Sequence, residues 1–131
     1  MNKQDRLEML NTYIKSNIAP ILLENVSSIK TENKFTVLPA NIDITQLNGH
    51  YEEIEFVPPE WYSELINNKS KFLIIDKLSQ IPKVEQKKFI EVLKYRKVSV
   101  FDFPKDVVIV ITGDKLNNNI DEEILSLVVV I

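Results

Sequence analysis

The chain has 131 residues, a formal net charge of −3, and 44% hydrophobic and 27% charged residues. These are the proportions of one globular domain, spanning 1–131, with a core of its own. No cysteine, one histidine (His50) and two glycines (Gly49 and Gly113) exclude disulfides, thiolate chemistry, zinc ribbons, histidine-cluster metal sites and a glycine-rich phosphate loop of the usual kind. The acid excess argues against a general nucleic-acid or anionic-membrane binder.

Residues 5–16 place Leu7, Leu10, Tyr13 and Ile14 on one helical face, with Asp5 as N-cap. Pro20 stops that helix, and Ile21-Leu22-Leu23 reads as a short buried strand. Phe35 to Leu38 is a second strand, ended by Pro39. The stretch 41–58 is polar, contains Asn48-Gly49, and reads as loop or edge hairpin. Pro58-Pro59 opens a short helix with Trp61 and Leu65 one turn apart, a core pattern. Phe72 to Asp76 is a solid apolar strand ending in an acid. Pro82 opens a helix to Tyr95 that buries Phe89, Ile90, Val92 and Leu93. Val98 to Phe103 is extended, and Val107 to Asp114 is the strongest strand of the chain. Asn119 or Asp121 caps a last short helix, and Val128 to Ile131 closes the sequence as a strand.

Continuous apolar strands separated by helices point to a parallel sheet covered on both faces, a three-layer α/β domain. The strands ending at Asp76 and Thr112 are expected to be adjacent and central, because both are too apolar for edges. Residues 77–106 are long enough for the crossover that a parallel pair needs. Ligands in such sheets sit at the carboxyl ends of the strands, here Glu24-Asn25, Asp76 and Thr112-Gly113-Asp114. No apolar run approaches the roughly 20 residues that span a bilayer. Met1 to Arg6 lacks the apolar core of a signal peptide, so no membrane and a cytoplasmic setting are the expectation.

The run Phe72 to Leu93 is similar to the Walker B strand of an AAA+ ATPase and the helix after it. Val107 to Asp114 resembles the strand and turn of the sensor 1 region. Phe56-Val-Pro-Pro-Glu-Trp61 resembles the proline-tryptophan stretch of MoxR-like members. Ile120 to Val128 resembles the helix where the family places its arginine finger, and Ile21 to Thr31 occupies the place of a strand followed by Walker A. The resemblance covers roughly residues 5–131. It implies a P-loop NTPase-like core with a mainly parallel sheet, and the family's helical lid has no counterpart in the sequence. It also implies vestigial nucleotide-facing residues Lys30, Thr31, Asp76, Thr112 and Asp114, with Asp76 as a leftover magnesium ligand, and no cofactor beyond weakly held ATP and magnesium.

The departures from that pattern set the functional expectation. Glu24 and Ile29 stand where Walker A has its glycines, while Lys30-Thr31 is retained. A β-branched residue at positive φ is an outlier, and Glu24 brings negative charge to a phosphate site. Asp76 is followed by Lys77, where the family has the Glu that activates water. Loss of a general base costs about 10²–10⁴ in rate. Asp114 replaces the usual sensor 1 Asn. Leu127 falls at the arginine-finger position, and such an arginine contributes about 10³–10⁵. The resemblance therefore implies a catalytically inactive AAA+-like domain serving as a binding or regulatory module, with nucleotide bound weakly or not at all. The alternative is an ATP-binding AAA+ protein with weak or no hydrolysis. On bland readings, Lys30-Thr31 is a surface turn, Asp76 pairs with a lysine or caps the next turn, and His50 is an exposed loop residue.

Residues 83–97 carry Lys83, Lys87, Lys88, Lys94, Arg96 and Lys97 against two Glu, with Phe89 and Tyr95 interleaved. This is a solvated outer helix face, a protein-docking surface or a contact to nucleic acid, in that order. Residues 51–64 hold five Glu and no Lys or Arg, so an acidic face on one copy could meet the basic helix of the next. A protein partner or self-association is expected, and nucleic acid is not favoured.

Overall fold

The structure is a computed structural model that describes residues 20–24, 34–113 and 119–130. The helix expected over 5–16 and residues Ile29, Lys30, Thr31 and Asp114 lie outside the described residues. In chain order the elements are β1 (Ile21–Glu24), β2 (Phe35–Pro39), α1 (Ile44–Leu47), β3 (His50–Glu52), β4 (Glu55–Val57), α2 (Glu60–Asn67) and β5 (Phe72–Asp76). A 3-10 turn (Leu78–Gln80) follows, then α3 (Lys83–Gln86), a second 3-10 turn (Lys87–Phe89) and α4 (Ile90–Tyr95). The remainder is β6 (Lys97–Val98), β7 (Phe101–Asp102), β8 (Val108–Gly113), α5 (Glu122–Leu127) and β9 (Val129–Val130).

Five strands form one parallel sheet in the order β2-β5-β8-β1-β9. The expectation for β5 and β8 holds: they are neighbours, parallel, and flanked on both sides. Ile74 faces Val110 and Ile75 faces Ile111 across the pair. Their near-continuous apolar sequences follow from burial on both faces. Leu22, Leu38, Leu73, Ile75, Ile109 and Ile111 point to one face, against Trp61, Leu65, Phe89, Val92, Leu93 and Ile124 from the helices. Ile21, Phe72, Ile74, Val108 and Val110, on the opposite face, are buried as well. Each such side chain contributes about 1.5–3 kcal/mol relative to exposure. Strand β2 is one of the two edges: Thr36 and Leu38 turn inward while Phe35 and Val37 stay exposed, and Pro39 ends it where a ladder donor would be lost.

Three local expectations are corrected. The stretch 41–58 forms α1 and a β3–β4 hairpin that makes its own two-stranded sheet, not an edge of the main one. Its turn falls at Glu53-Ile54, with Glu53 at φ 57°, and Asn48-Gly49 precedes it. Gly49 is needed for close packing, since a Cβ there would stand 2.3 Å from the Val57 carbonyl oxygen. The helix expected from Pro82 to Tyr95 is broken by the 3-10 turn at Lys87–Phe89, just after Gln86 is drawn into the core. The extended 98–103 stretch is a second hairpin, β6–β7, turned by Ser99 at φ 54°.

A chain of rings ties both hairpins to α2. Tyr51 meets Phe56 at 4.9 Å, Phe56 stacks on Phe101 at 5.7 Å, and Phe101 meets Tyr62 at 5.5 Å. Trp61 and Tyr62 both reach Phe103. The Tyr62 hydroxyl donates to the Asp102 carbonyl at 2.5 Å, and the Trp61 indole N–H donates to the Leu47 carbonyl at 3.0 Å. Among the described residues no helix is long and apolar enough to cross a membrane.

Candidate functional site at the carboxyl edge of the sheet

All five strands run the same way, so the ends of β1, β5 and β8 lie along one edge of the sheet. Glu24 pairs with Gly113 and Leu23 with Thr112. On the other side of β8, pairing stops at Ile75 and Ile111, which leaves Asp76 and Thr112 as the next residues of adjacent strands. The chain steps inward from β2 through β5 to β8 and then passes beyond β1 to β9. Such a change in strand order opens the crevice where α/β proteins bind ligands.

The Thr112 hydroxyl donates to Asp76 Oδ1 at 2.9 Å and accepts the Lys77 backbone N–H at 2.9 Å. The hydroxyl thereby uses its one proton and one of its two acceptor positions in fixing the edge. Thr112 is buried and Asp76 half-buried. Among the described residues the partner of Asp76 is a threonine, through one carboxylate oxygen. Lys77 adopts the left-handed conformation (φ 63°, ψ 42°) and is exposed, a backbone state that costs a non-glycine residue about 1 kcal/mol or more. It turns the chain out of β5 into the 3-10 turn.

Sequence reasoning brought together Asp76 and Thr112, and these two are in contact. It also named Lys30, Thr31 and Asp114, which lie outside the described residues. Among the described residues no group of three or more His, Cys, Asp or Glu is placed to hold a metal. A magnesium ion at this edge would be held by the Asp76 carboxylate. Leu127 is half-buried against the core, and α5 offers no arginine.

The six cations of 83–97 do not share one role. Lys87 pairs with Asp121 at 3.0 Å, and that hydrogen bond raises the lysine pKa above its ordinary value. Lys88 donates to the Ile42 carbonyl at 2.6 Å. Arg96 donates to the Pro104 and Val107 carbonyls at 3.0 and 2.7 Å, and burial lowers its pKa. Lys94 and Lys97 stand 5.4 and 5.9 Å from the Tyr95 ring centre, and Lys83 is exposed. His50 is exposed and 3.3 Å from Glu52.

Sequence reasoning missed Gln86, and it offered Asn119 only as a cap for α5, whose N-cap is Asp121. Gln86 is fully buried, and both amides bond to backbone carbonyls of the segment after β5. The one available signal was a polar residue on the apolar stripe of a helix, three positions before Phe89.

No protein-family model and no curated protein matches the chain. Among solved structures it is similar to one from Cytophaga hutchinsonii described as a "putative ATPase", with TM-score 0.57 and 16% identity. The match covers 86% of this chain and 38% of that one, so the chain spans well under half of the neighbour's length. At that identity the likeness speaks to the fold, and together with the parallel sheet it establishes an α/β, three-layer, P-loop NTPase-like architecture.

Proposed function

We propose that the chain is a non-hydrolysing AAA+-like domain, MoxR-like in its motifs, that works in the cytoplasm as a binding or regulatory module. The observation that carries this reading is the geometry at Lys77. The residue after Asp76 is held in the left-handed conformation by its own N–H bond to Thr112, and it presents an ammonium instead of a general base. A base of that kind contributes about 10²–10⁴ to a hydrolytic rate. The absence of arginine from α5 acts in the same direction. A protein partner then becomes the functional ligand, either a related active ATPase or a second copy of this chain.

A second reading is favoured by the Asp76–Thr112 pair itself. An acid and a hydroxyl held together at the crevice are what a magnesium-nucleotide would meet, so binding without turnover is its natural form. Titration of the full chain with Mg·ATP and Mg·ADP during thermal unfolding separates the two. A ligand at 100 times its Kd adds about 2.7 kcal/mol. A shift that saturates, and that Asp76→Asn abolishes, supports the second reading. No shift at millimolar nucleotide supports the first.

A further inference from the structure

The segment after β5 and the residues from Asn119 to Asp121 at the start of α5 are locked to each other. Gln86 Nε2 donates to the carbonyls of Leu78 and Ile81, each at 3.1 Å, in the loop after β5. The same nitrogen reaches the Asn119 carbonyl at 2.6 Å, in the segment after β8. Gln86 Oε1 accepts the Asp121 N–H at 2.7 Å. Asn119 reciprocates, its Nδ2 donating to the carbonyls of Ser79 and Ile81.

Asp121 extends the network to α5. Its Oδ1 caps the helix by accepting the N–H groups of Glu123 at 3.0 Å and Ile124 at 3.3 Å, and its Oδ2 pairs with Lys87. Gln86 and Lys87, neighbours in sequence, thus hold the backbone and the carboxylate of one residue. The end of β8 lies against the same loop. A Cβ on Gly113 would stand 3.6 Å from the Ser79 nitrogen and 3.2 Å from Ile120 Cδ1. Buried amide networks of this sort allow few alternative arrangements, because any partial rearrangement leaves polar groups unpaired.

We infer that Gln86 is a positioning residue that couples the crevice to α5. It fixes the 77–81 loop, and through it the Lys77 N–H, the Thr112 hydroxyl and the Asp76 carboxylate, in register with the start of α5. A ligand bound at Asp76 then changes the stability of the start of α5, and by linkage a change at the start of α5 alters ligand affinity to the same extent. Only the ligand half of this statement rests on the reading of the crevice as a binding site.

The test is a double-mutant cycle in the full chain, with no ligand present. Gln86→Leu is combined with Thr112→Val, and separately with Thr36→Val, whose hydroxyl bonds Ser70 on the edge strand. The unfolding constant of the first pair is expected to depart about fivefold from the product of the single effects, and that of the second pair to match it within about twofold. Hydrogen exchange at the Lys77 and Ile124 amides is expected to accelerate together in Gln86→Leu. Simple multiplication in the first pair, or loosening of α5 with Lys77 unchanged, overturns the inference. Should Gln86→Leu fail to fold, Asn119→Ala is read by the same cycle and the same two amides. In a separate arm, Mg·ATP affinity is compared between wild type and Gln86→Leu. An unchanged affinity contradicts the coupling, whereas a wild type that binds no nucleotide contradicts the ligand reading and leaves the cycle to decide.

Discussion

Thr112 and Asp76 close the carboxyl edge of the sheet across adjacent parallel strands, hydroxyl to carboxylate at 2.9 Å. The same hydroxyl oxygen receives the N–H of Lys77. One buried side chain thereby sets both the acid that the crevice presents and the backbone turn that follows it.

Removing that hydroxyl leaves a carboxylate oxygen and a backbone N–H without their partner. Thr112→Val is expected to destabilise the chain by about 1–3 kcal/mol, whereas Thr112→Ser retains most of the stability. Urea unfolding followed by circular dichroism measures both. Equal stability of Thr112→Val and wild type would show that the bond contributes nothing net.

Asp121 makes the chain acid-sensitive. Burial alone would raise its pKa, but the Lys87 ammonium and the N–H groups of Ile124 and Glu123 outweigh that and hold it below the ordinary value. A carboxyl depressed on folding adds stability that is complete above its unfolded pKa of about 3.9 and is lost as pH falls through the folded value. Asp121→Asn keeps a capping oxygen and removes the charge. It is expected to lower stability at pH 7 and to converge with wild type as pH falls below the folded pKa of Asp121. Asp106, lowered chiefly by its bond to Lys71, keeps some acid dependence in the variant. Parallel stability–pH curves for the two proteins would contradict the assignment.

Gly49 tolerates no side chain where it stands, since the clash is with backbone and not with a flexible tip. Gly49→Ala is expected to cost about 1–3 kcal/mol through overpacking and to shift the Tyr51, Phe56 and Phe101 ring resonances. Unchanged ring shifts would mean that the hairpin is not fixed by this contact.

Nucleic-acid binding through 83–97 is expected to be weak, because Lys87, Lys88 and Arg96 bond within the chain. Each phosphate neutralised lowers log K by about 0.9 per tenfold rise in salt on duplex DNA. Titration with labelled duplex is expected to show no saturation near physiological salt. Tight binding weakened by Lys94→Ala and Lys97→Ala would restore a nucleic-acid role.

The central sheet was legible because its signal is local. Phe72 to Ile75 and Val107 to Ile111 are uninterrupted apolar runs, and only a doubly covered position accommodates them. The contact between Asp76 and Thr112 followed once both were placed at adjacent strand ends. The β3–β4 turn was misread because Asn48-Gly49 carries the stronger turn chemistry. There the glycine serves a backbone approach to Val57, and Glu53 takes the positive φ instead. The role of Gln86, and that of Asn119 beyond a helix cap, was hidden for a different reason. Both bond to backbone carbonyls across the Leu78–Asn119 interface, and a carbonyl has no identity in sequence.

ATP turnover by the full chain, with and without Lys77→Glu, tests the central claim most directly. The expected result is no phosphate release above the protein-free rate in either protein, because restoring one carboxylate supplies neither an arginine at the Leu127 position nor glycines at 24 and 29. Turnover by the wild type that disappears in Asp76→Ala would contradict the account and establish the crevice as a working ATPase site.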